Sequence, residues 1–206
     1  MTTSLVVGGV AVSAITVSRL RRHLEHLVRW NAAINLVAKS TLPDAWDRHV
    51  VDSAQLVPLA PPRPGHWADL GSGAGFPGLV VAVILAETSP DTRVTLVEAD
   101  RRKATFLREA VRNLELNTTV LSQRIEIAAP LAADVVSARA LAPLLALLPL
   151  AQRHLALDGV LLCLKGTSVD SELASATPAW SFSLERLPSQ TDRSAEILRL
   201  RGLTHV

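Results

Sequence analysis

Apolar positions recur at helical spacing near the start of this chain and give way to alternating strand and helix patterns from His66 onward. Residues 1–17 show no clear period and read as a frayed start or an extra helical turn. Ser18 is a good N-cap, and Leu20, Leu24, Leu27, Val28 and Ile34 then mark one helical face, with Arg21, Arg22, Glu25 and Arg29 on the other. A second helix is predicted from about Thr41, with Pro43 in its first turn and Ala45, His49, Val50, Ala54 and Val57 on its apolar side. The proline-rich run Pro58 to Pro64 stops it. Beyond it, His66 to Leu70, Arg93 to Glu98, Val120 to Ile127, Asp134 to Ser137 and Gly159 to Lys165 read as strands, and Leu79 to Leu85, Arg101 to Leu116 and Pro143 to Leu155 as helices. Trp180 to Leu187 and Ala195 to Arg201 follow without a helix between them, as an antiparallel edge hairpin does. The expectation is one α/β domain. A mostly parallel sheet with helices on both faces spans residues 66–206, and a helical cap spans 1–62.

The stretch Trp67-Ala68-Asp69-Leu70-Gly71-Ser72-Gly73-Ala74-Gly75-Phe76-Pro77-Gly78 is the junction between the first core strand and its helix. Glycines there permit positive φ or close backbone approach to a ligand, and the new helix points free N–H groups at the loop. The dinucleotide fingerprint needs glycine at the sixth place, where Phe76 stands, and no Gly-Lys-Ser/Thr of a phosphate-binding loop follows. The spacing G-x-G-x-G after an Asp-containing strand resembles motif I of S-adenosylmethionine-dependent methyltransferases, with Gly71 and Gly73 against the cofactor.

Ligands of open α/β sheets bind at the carboxyl ends of strands. Glu98 falls at such an end and suits ribose hydroxyls, the alternative being a helix-start acid, for which Asp100 is better placed. Arg124-Ile125-Glu126 either reads an adenine edge or is a plain charged turn. Arg139, just past the fourth strand, fits a carboxylate or phosphate, or else a surface ion pair, and Lys165 follows the same logic on the fifth strand. Ser-Ala-Arg-Ala stands at residues 137–140, where methylases of exocyclic amines usually carry Asn/Asp-Pro-Pro-aromatic, which argues against an amine target.

Composition adds little beyond exclusions. The formal charge of +2 does not demand a nucleic-acid partner, although basic side chains gather in Arg19, Arg21, Arg22, Arg29, Lys39 and Arg48. The single cysteine, Cys163, rules out an internal disulfide and lies in an apolar strand. No residues show metal-ligand spacing, and the apolar run Leu5 to Val17 falls short of the ~20 residues of a bilayer span. A cytoplasmic protein without a membrane or metal partner is expected.

Taken together, Trp30-Asn31 with Asn35-Leu36, Arg48-His49 with Asp52-Ser53, Asp69 through Gly78, Glu98 with Lys103 and Phe106-Leu107, Arg139-Ala140, and Leu164-Lys165-Gly166 closely resemble the bacterial small-subunit (16S) rRNA guanine-N7 methyltransferase family, also called glucose-inhibited division protein B. The resemblance implies S-adenosylmethionine as cofactor and 16S rRNA or the 30S particle as substrate. It carries cofactor contacts onto Gly71, Phe76, Ile125-Glu126 and Arg139, and Arg139 with Lys165 become the residues expected at the chemistry. His49 either packs or lines the substrate mouth, Arg193 lies in a weaker matching segment, and Trp30 and Asn35 are expected to pack. The chain departs from the family at Val37, where a threonine is common. A small-molecule or protein methyltransferase, or a cofactor-binding assembly module without turnover, is the alternative.

Overall fold

The computed structural model describes residues 4–206. The first described element is a hairpin, β1 (Leu5–Val7) with β2 (Val10–Val12), in place of the patternless start expected there. Gly8 and Gly9 turn it at φ +56° and +84°, the conformation a two-residue hairpin loop needs. A Cβ at Gly8 would stand 2.5 Å from the backbone nitrogen of Gln55, so this turn packs directly against the cap.

The first long helix, α1 (Ala14–Asn31), begins a turn before Ser18. Its N-cap is Ser13, whose hydroxyl accepts from the N–H of Thr16, while Ser13 N–H and hydroxyl both donate to the Glu87 carboxylate. A tertiary contact therefore fixes the start. The buried face of α1 is Thr16, Leu20, His23, His26, Leu27 and Asn31, with two histidines in apolar places, and Val28 is exposed instead of buried. Asn31 Oδ1 accepts from the N–H groups of Leu36 and Val37 and so closes the helix end, whereas Asn35 points outward and does not pack.

No regular helix starts at Thr41. A 3₁₀ turn (Lys39–Thr41) leads to a π-helical stretch (Trp46–Val51) that runs on into the short α2 (Asp52–Ala54). Single-turn π segments are a recognised feature of functional sites.

Among the described residues seven strands form one sheet: β3 (His66–Leu70), β4 (Arg93–Val97), β5 (Thr118–Leu121), β6 (Ala133–Arg139), β7 (Leu155–Lys165), β8 (Trp180–Pro188) and β9 (Glu196–His205), in the order β5-β4-β3-β6-β7-β9-β8. The pairs from β5 to β7 are parallel, and β9 runs antiparallel to both β7 and β8. The late hairpin is thus present, with β9 inside the sheet and β8 at its edge. The third core strand ends at Leu121, so Arg124–Ile127 is a turn and not strand. β7 starts at Leu155, earlier than Gly159.

Helices α3 (Gly78–Thr88) and α4 (Arg101–Asn113) cover one face together with α1, and α5 (Leu144–His154) and α6 (Val169–Ala176) cover the other. α3 is buried from Gly78 to Leu85 because it lies between sheet and cap, which explains its lack of a polar face. Val12, Leu20, Leu27 and Val50 of the cap share a hydrophobic cluster with Leu79, Val83, Leu96 and Phe106. Helix α6 has no counterpart among the sequence-based expectations.

Candidate active site

Strand order reverses between β3 and β6: β3 leads outward to β4 and β5, whereas β6 leads the other way to β7. Ligands of open α/β sheets gather at such a switch point, at the carboxyl ends of the strands. Register then decides which residues meet there. Leu70 pairs with Val97 and with Ala138, and Arg139 pairs with Leu164. The next residues along the row are therefore Glu98, Gly71, Arg139 and Leu164, from four adjacent strands, with Lys165 one residue further along β7.

The glycine loop takes its shape from Gly71, Gly73 and Gly75, at φ +68°, +54° and +84°. N–H groups of Gly71 and Ser72 donate to Val97 O, at 2.9 and 3.1 Å, which ties the loop to β4. Gly73 N–H donates to Glu98 Oε2 and Asp100 N–H to Glu98 Oε1, both at 2.8 Å. Asp100 is the N-cap of α4, so Glu98 is left free of that role and holds the loop instead. A Cβ at Gly73 would meet nothing nearer than Gly71 O at 3.7 Å, so the loop surface beside Glu98 is open to a ligand. At Gly71 a Cβ would stand 2.5 Å from Leu141 Cδ1, which covers that glycine.

Beneath the loop, Asp69 is fully buried. Its Oδ1 accepts from Ser137 Oγ at 2.6 Å, and Ser137 in turn accepts from Trp67 Nε1 at 2.9 Å. Asp69 Oδ2 has no hydrogen-bond partner among the described residues. Burial pushes this carboxyl up to about 6, against the hydrogen bonds that favour its charged form. A positive-φ cradle with a carboxylate at its rim fits an adenosine-type cofactor.

Beyond the loop opens a cavity of about 590 Å³, whose wall includes Arg48, His49, Asp52, Arg139, Leu141 and Lys165. Arg139 is the hinge between loop and cavity. Its guanidinium lies 5.1 Å from the centre of the Phe76 ring, and His49 stacks on the same ring at 4.9 Å. Arg139 Nη1 donates to Arg48 O and His49 Nδ1, each at 3.2 Å, and stands 3.4 Å from Asp52 Oδ2. Its Nε and Nη2 make no hydrogen bond among the described residues.

His49 is buried and fully engaged. Nδ1 accepts from Arg139, so Nε2 carries the proton and donates to Thr41 Oγ1 at 2.9 Å. Burial first, then Arg139 and Arg48, lowers its pKa to about 4, and the ring is neutral at physiological pH. Lys165 reaches the cavity already paired: Nζ donates to Glu172 Oε2 at 2.7 Å and to Ala142 O at 2.9 Å. An ammonium has three donors, so one remains.

The remaining expected residues are placed less centrally. Phe76 is buried, and its ring is occupied by His23, His49 and Arg139, which leaves its backbone for a ligand. Ile125 is buried in the sheet's second cluster, its carbonyl held by His154 Nε2 at 2.9 Å. Glu126 is exposed and 3.6 Å from Arg124. Arg193 is exposed in the β8–β9 loop and outside the cavity wall, although its neighbours Thr191 and Asp192 line it. Asp52, Glu172 and Thr191 were not singled out by chemistry in the sequence. Asp52 was legible as the residue one helical turn after His49. Glu172 follows Ser168 in a run, Val169, Leu173 and Ala176, with helical spacing.

The sequence profile of the rRNA small subunit methyltransferase G family matches residues 16–197. A ribosomal RNA small subunit methyltransferase G of Cereibacter sphaeroides is 50% identical over 195 residues, 95% of each chain. Its counterpart in Paramagnetospirillum magneticum is 51% identical over 193 residues, 94% of this chain and 92% of its own. Among solved structures, a SAM-dependent methyltransferase of Aquifex aeolicus superposes with a TM-score of 0.59 at 16% identity, covering 77% of this chain and 92% of that one.

Proposed function

The chain belongs to the rRNA small subunit methyltransferase G family, and we propose that it transfers the methyl group of S-adenosylmethionine to N7 of a guanosine in 16S rRNA. As a member it is an S-adenosylmethionine-dependent rRNA methyltransferase. The observation that carries the finer reading is Arg139, fixed at one end and unpartnered at the other, between the glycine loop and the cavity.

Guanine N7 presents a lone pair on the major-groove edge beside O6. No proton has to leave before it is methylated, so the reaction needs no general base, and His49 has both nitrogens engaged. When bound, the cofactor supplies an electrophilic methyl group. Gly71, Gly73 and the backbone at Phe76 would hold it at the loop, Glu98 would accept from its ribose hydroxyls, and Ile125-Glu126 would border its base. The free side of Arg139 and the third donor of Lys165 would hold guanine O6 or a phosphate, which is alignment and electrostatic placement, not proton transfer. Arg193 and the cap arginines would meet the RNA backbone. Cap and core act as one domain in this reading, and the protein works in the cytoplasm. Among the described residues no helix is long and apolar enough to cross a membrane.

The test is to map N7-methylguanosine in 16S rRNA from cells with and without the protein, and to assay Arg139→Ala in single turnover on naked 16S rRNA and 30S particles. Loss of the mark without the protein and a large drop in turnover for the variant are expected. An unchanged map would refute the target, and near-normal turnover would remove Arg139 from the site.

A further inference from the structure

Asp52 sits where the π-helical stretch ends, and its two carboxylate oxygens face two different parts of the chain. Oδ2 stands 3.4 Å from Arg139 Nη1. Oδ1 accepts from Gln55 Nε2 at 2.9 Å, from Thr191 Oγ1 at 3.0 Å and from Ser189 Oγ at 3.4 Å. Gln55 reinforces the second link, because its Oε1 accepts from Gln190 N–H at 3.0 Å. One side chain thus joins the cap, the end of β6 and the β8–β9 loop, all on the wall of one cavity.

An arginine reaches its guanidinium through several rotatable bonds, so a charge at the end of a strand is not held in place by the strand alone. Among the described residues every acceptor on Nη1 comes from residues 48–52: the Arg48 carbonyl, His49 Nδ1 and the Asp52 carboxylate. Of these three Asp52 alone is charged, and its side chain, like that of Arg139, is mostly buried, where solvent screens the pair less than at the surface.

We propose that Asp52 is a positioning residue for methyl transfer: it fixes the Arg139 guanidinium by Nη1, so that the Nε–Nη2 side stays turned to the cavity, and anchors the β8–β9 loop with its other oxygen. It touches no reacting atom itself. The inference rests on the assignment of Arg139 to the active site.

The experiment compares Asp52→Asn, Asp52→Glu, Arg139→Ala and the double variant Asp52→Asn/Arg139→Ala in the full chain. Single-turnover methylation of 16S rRNA or 30S particles is measured at saturating cofactor and substrate, with cofactor affinity by calorimetry and thermal midpoints alongside. Asp52→Asn keeps the size and loses the charge. It is expected to slow the single-turnover step roughly tenfold to a hundredfold, the scale of a small misplacement of a reacting group, with cofactor affinity little changed. Asp52→Glu should recover part of the rate. In the Arg139→Ala background Asp52→Asn should cost nothing further, because both changes remove one interaction. Should Asp52→Asn fold poorly, Thr191→Val removes a single bond to Oδ1, keeps the charge, and should show a smaller loss that also vanishes without Arg139. A normal rate for Asp52→Asn beside an impaired Arg139→Ala, or losses that simply add, overturns the proposal. A normal rate for Arg139→Ala overturns the active-site assignment, and the role of Asp52 with it.

Discussion

Glu98 holds the glycine loop and keeps acceptor capacity to spare. Its oxygens accept from Gly73 and Asp100 N–H groups, and each has a second lone-pair site for a ligand hydroxyl. Glu98→Ala should therefore weaken S-adenosylmethionine binding by roughly 1–3 kcal/mol, the usual cost of losing hydrogen bonds to a charged group, and Glu98→Gln by less. Calorimetry giving parental affinity for both would reduce Glu98 to a loop anchor. Gly73 offers a finer probe. Its Cβ direction is open, so Gly73→Ala faces only the cost of a side chain at φ +54°, about 1–2 kcal/mol. Gly73→Val adds bulk where a ligand must come close and should abolish cofactor binding in a folded protein. Normal affinity for a folded Gly73→Val would move the cofactor off this loop. The glycine spacing and Glu98 were legible because strand-end position alone nominates them. Asp52 was legible by its spacing from His49 but not in its role, which lies in partners distant in sequence, Arg139 and Thr191, and Glu172 was not singled out although Lys165 and Ser168 lie close to it in the chain.

Among the elements, α1 departs from its simple amphipathic pattern on its buried face. Counting only aliphatic residues hides His23 and His26, which are buried against Phe76 and Phe106 at ring distances of 5.0 and 4.9 Å. The hairpin ahead of α1 was readable from Gly8-Gly9 between two valine-rich triplets. The π-helical turn was not, because no local propensity marks it and its carbonyls are placed by Ser53, which donates to His49 O, and by Arg139, which donates to Arg48 O. On the outer face, Arg19 pairs with Glu115 at 3.7 Å and Arg21 lies 5.3 Å from the centre of the Trp46 ring, while Arg22 and Arg29 are exposed. Phosphate neutralisation makes RNA affinity fall with salt. Arg21→Ala/Arg22→Ala should lower affinity for 16S rRNA or 30S particles and flatten the salt dependence, leaving cofactor affinity unchanged. An unaltered slope in filter-binding titrations would return both arginines to an ordinary solvated surface.

For the molecule as a whole, buried histidines govern the response to mild acid. Burial lowers the pKa of His23 to about 3 and of His49 to about 4, and lowers those of His26 and His66 from 6.5. The unfolded chain therefore takes up protons the folded one refuses. The stability concerned is complete above pH 6.5 and is lost as pH falls from there toward 4 and below. Asp69 acts in the opposite sense, since its burial cost is relieved as pH falls below about 6, but it is one group against four. The thermal midpoint should fall between pH 7.5 and 5.5, and His23→Leu should flatten that fall. Among the described residues His23 has both ring nitrogens without partners, so leucine there removes a titrating group and no described hydrogen bond. A flat profile in the parent would mean that these rings are protonated in the fold. At this scale the alternation of strands and helices was visible in the sequence, and so were the strand ends that carry Glu98, Gly71, Arg139 and Lys165, but not the strand order and register that set them side by side, because those are fixed by side-chain packing between strands far apart in the chain. The place of β9 has a further consequence, for manufacture. β9 is synthesised after both β7 and β8, yet it lies between them. Until it emerges from the ribosome, β7 presents an open apolar edge, Val160 to Leu164, and β8 has no neighbour at all. A message cut short after Ser194 would yield a nascent chain with strands β3 to β7 already made and a strand-pairing template beside them. Such a product is expected to aggregate instead of persisting as a soluble, inactive enzyme.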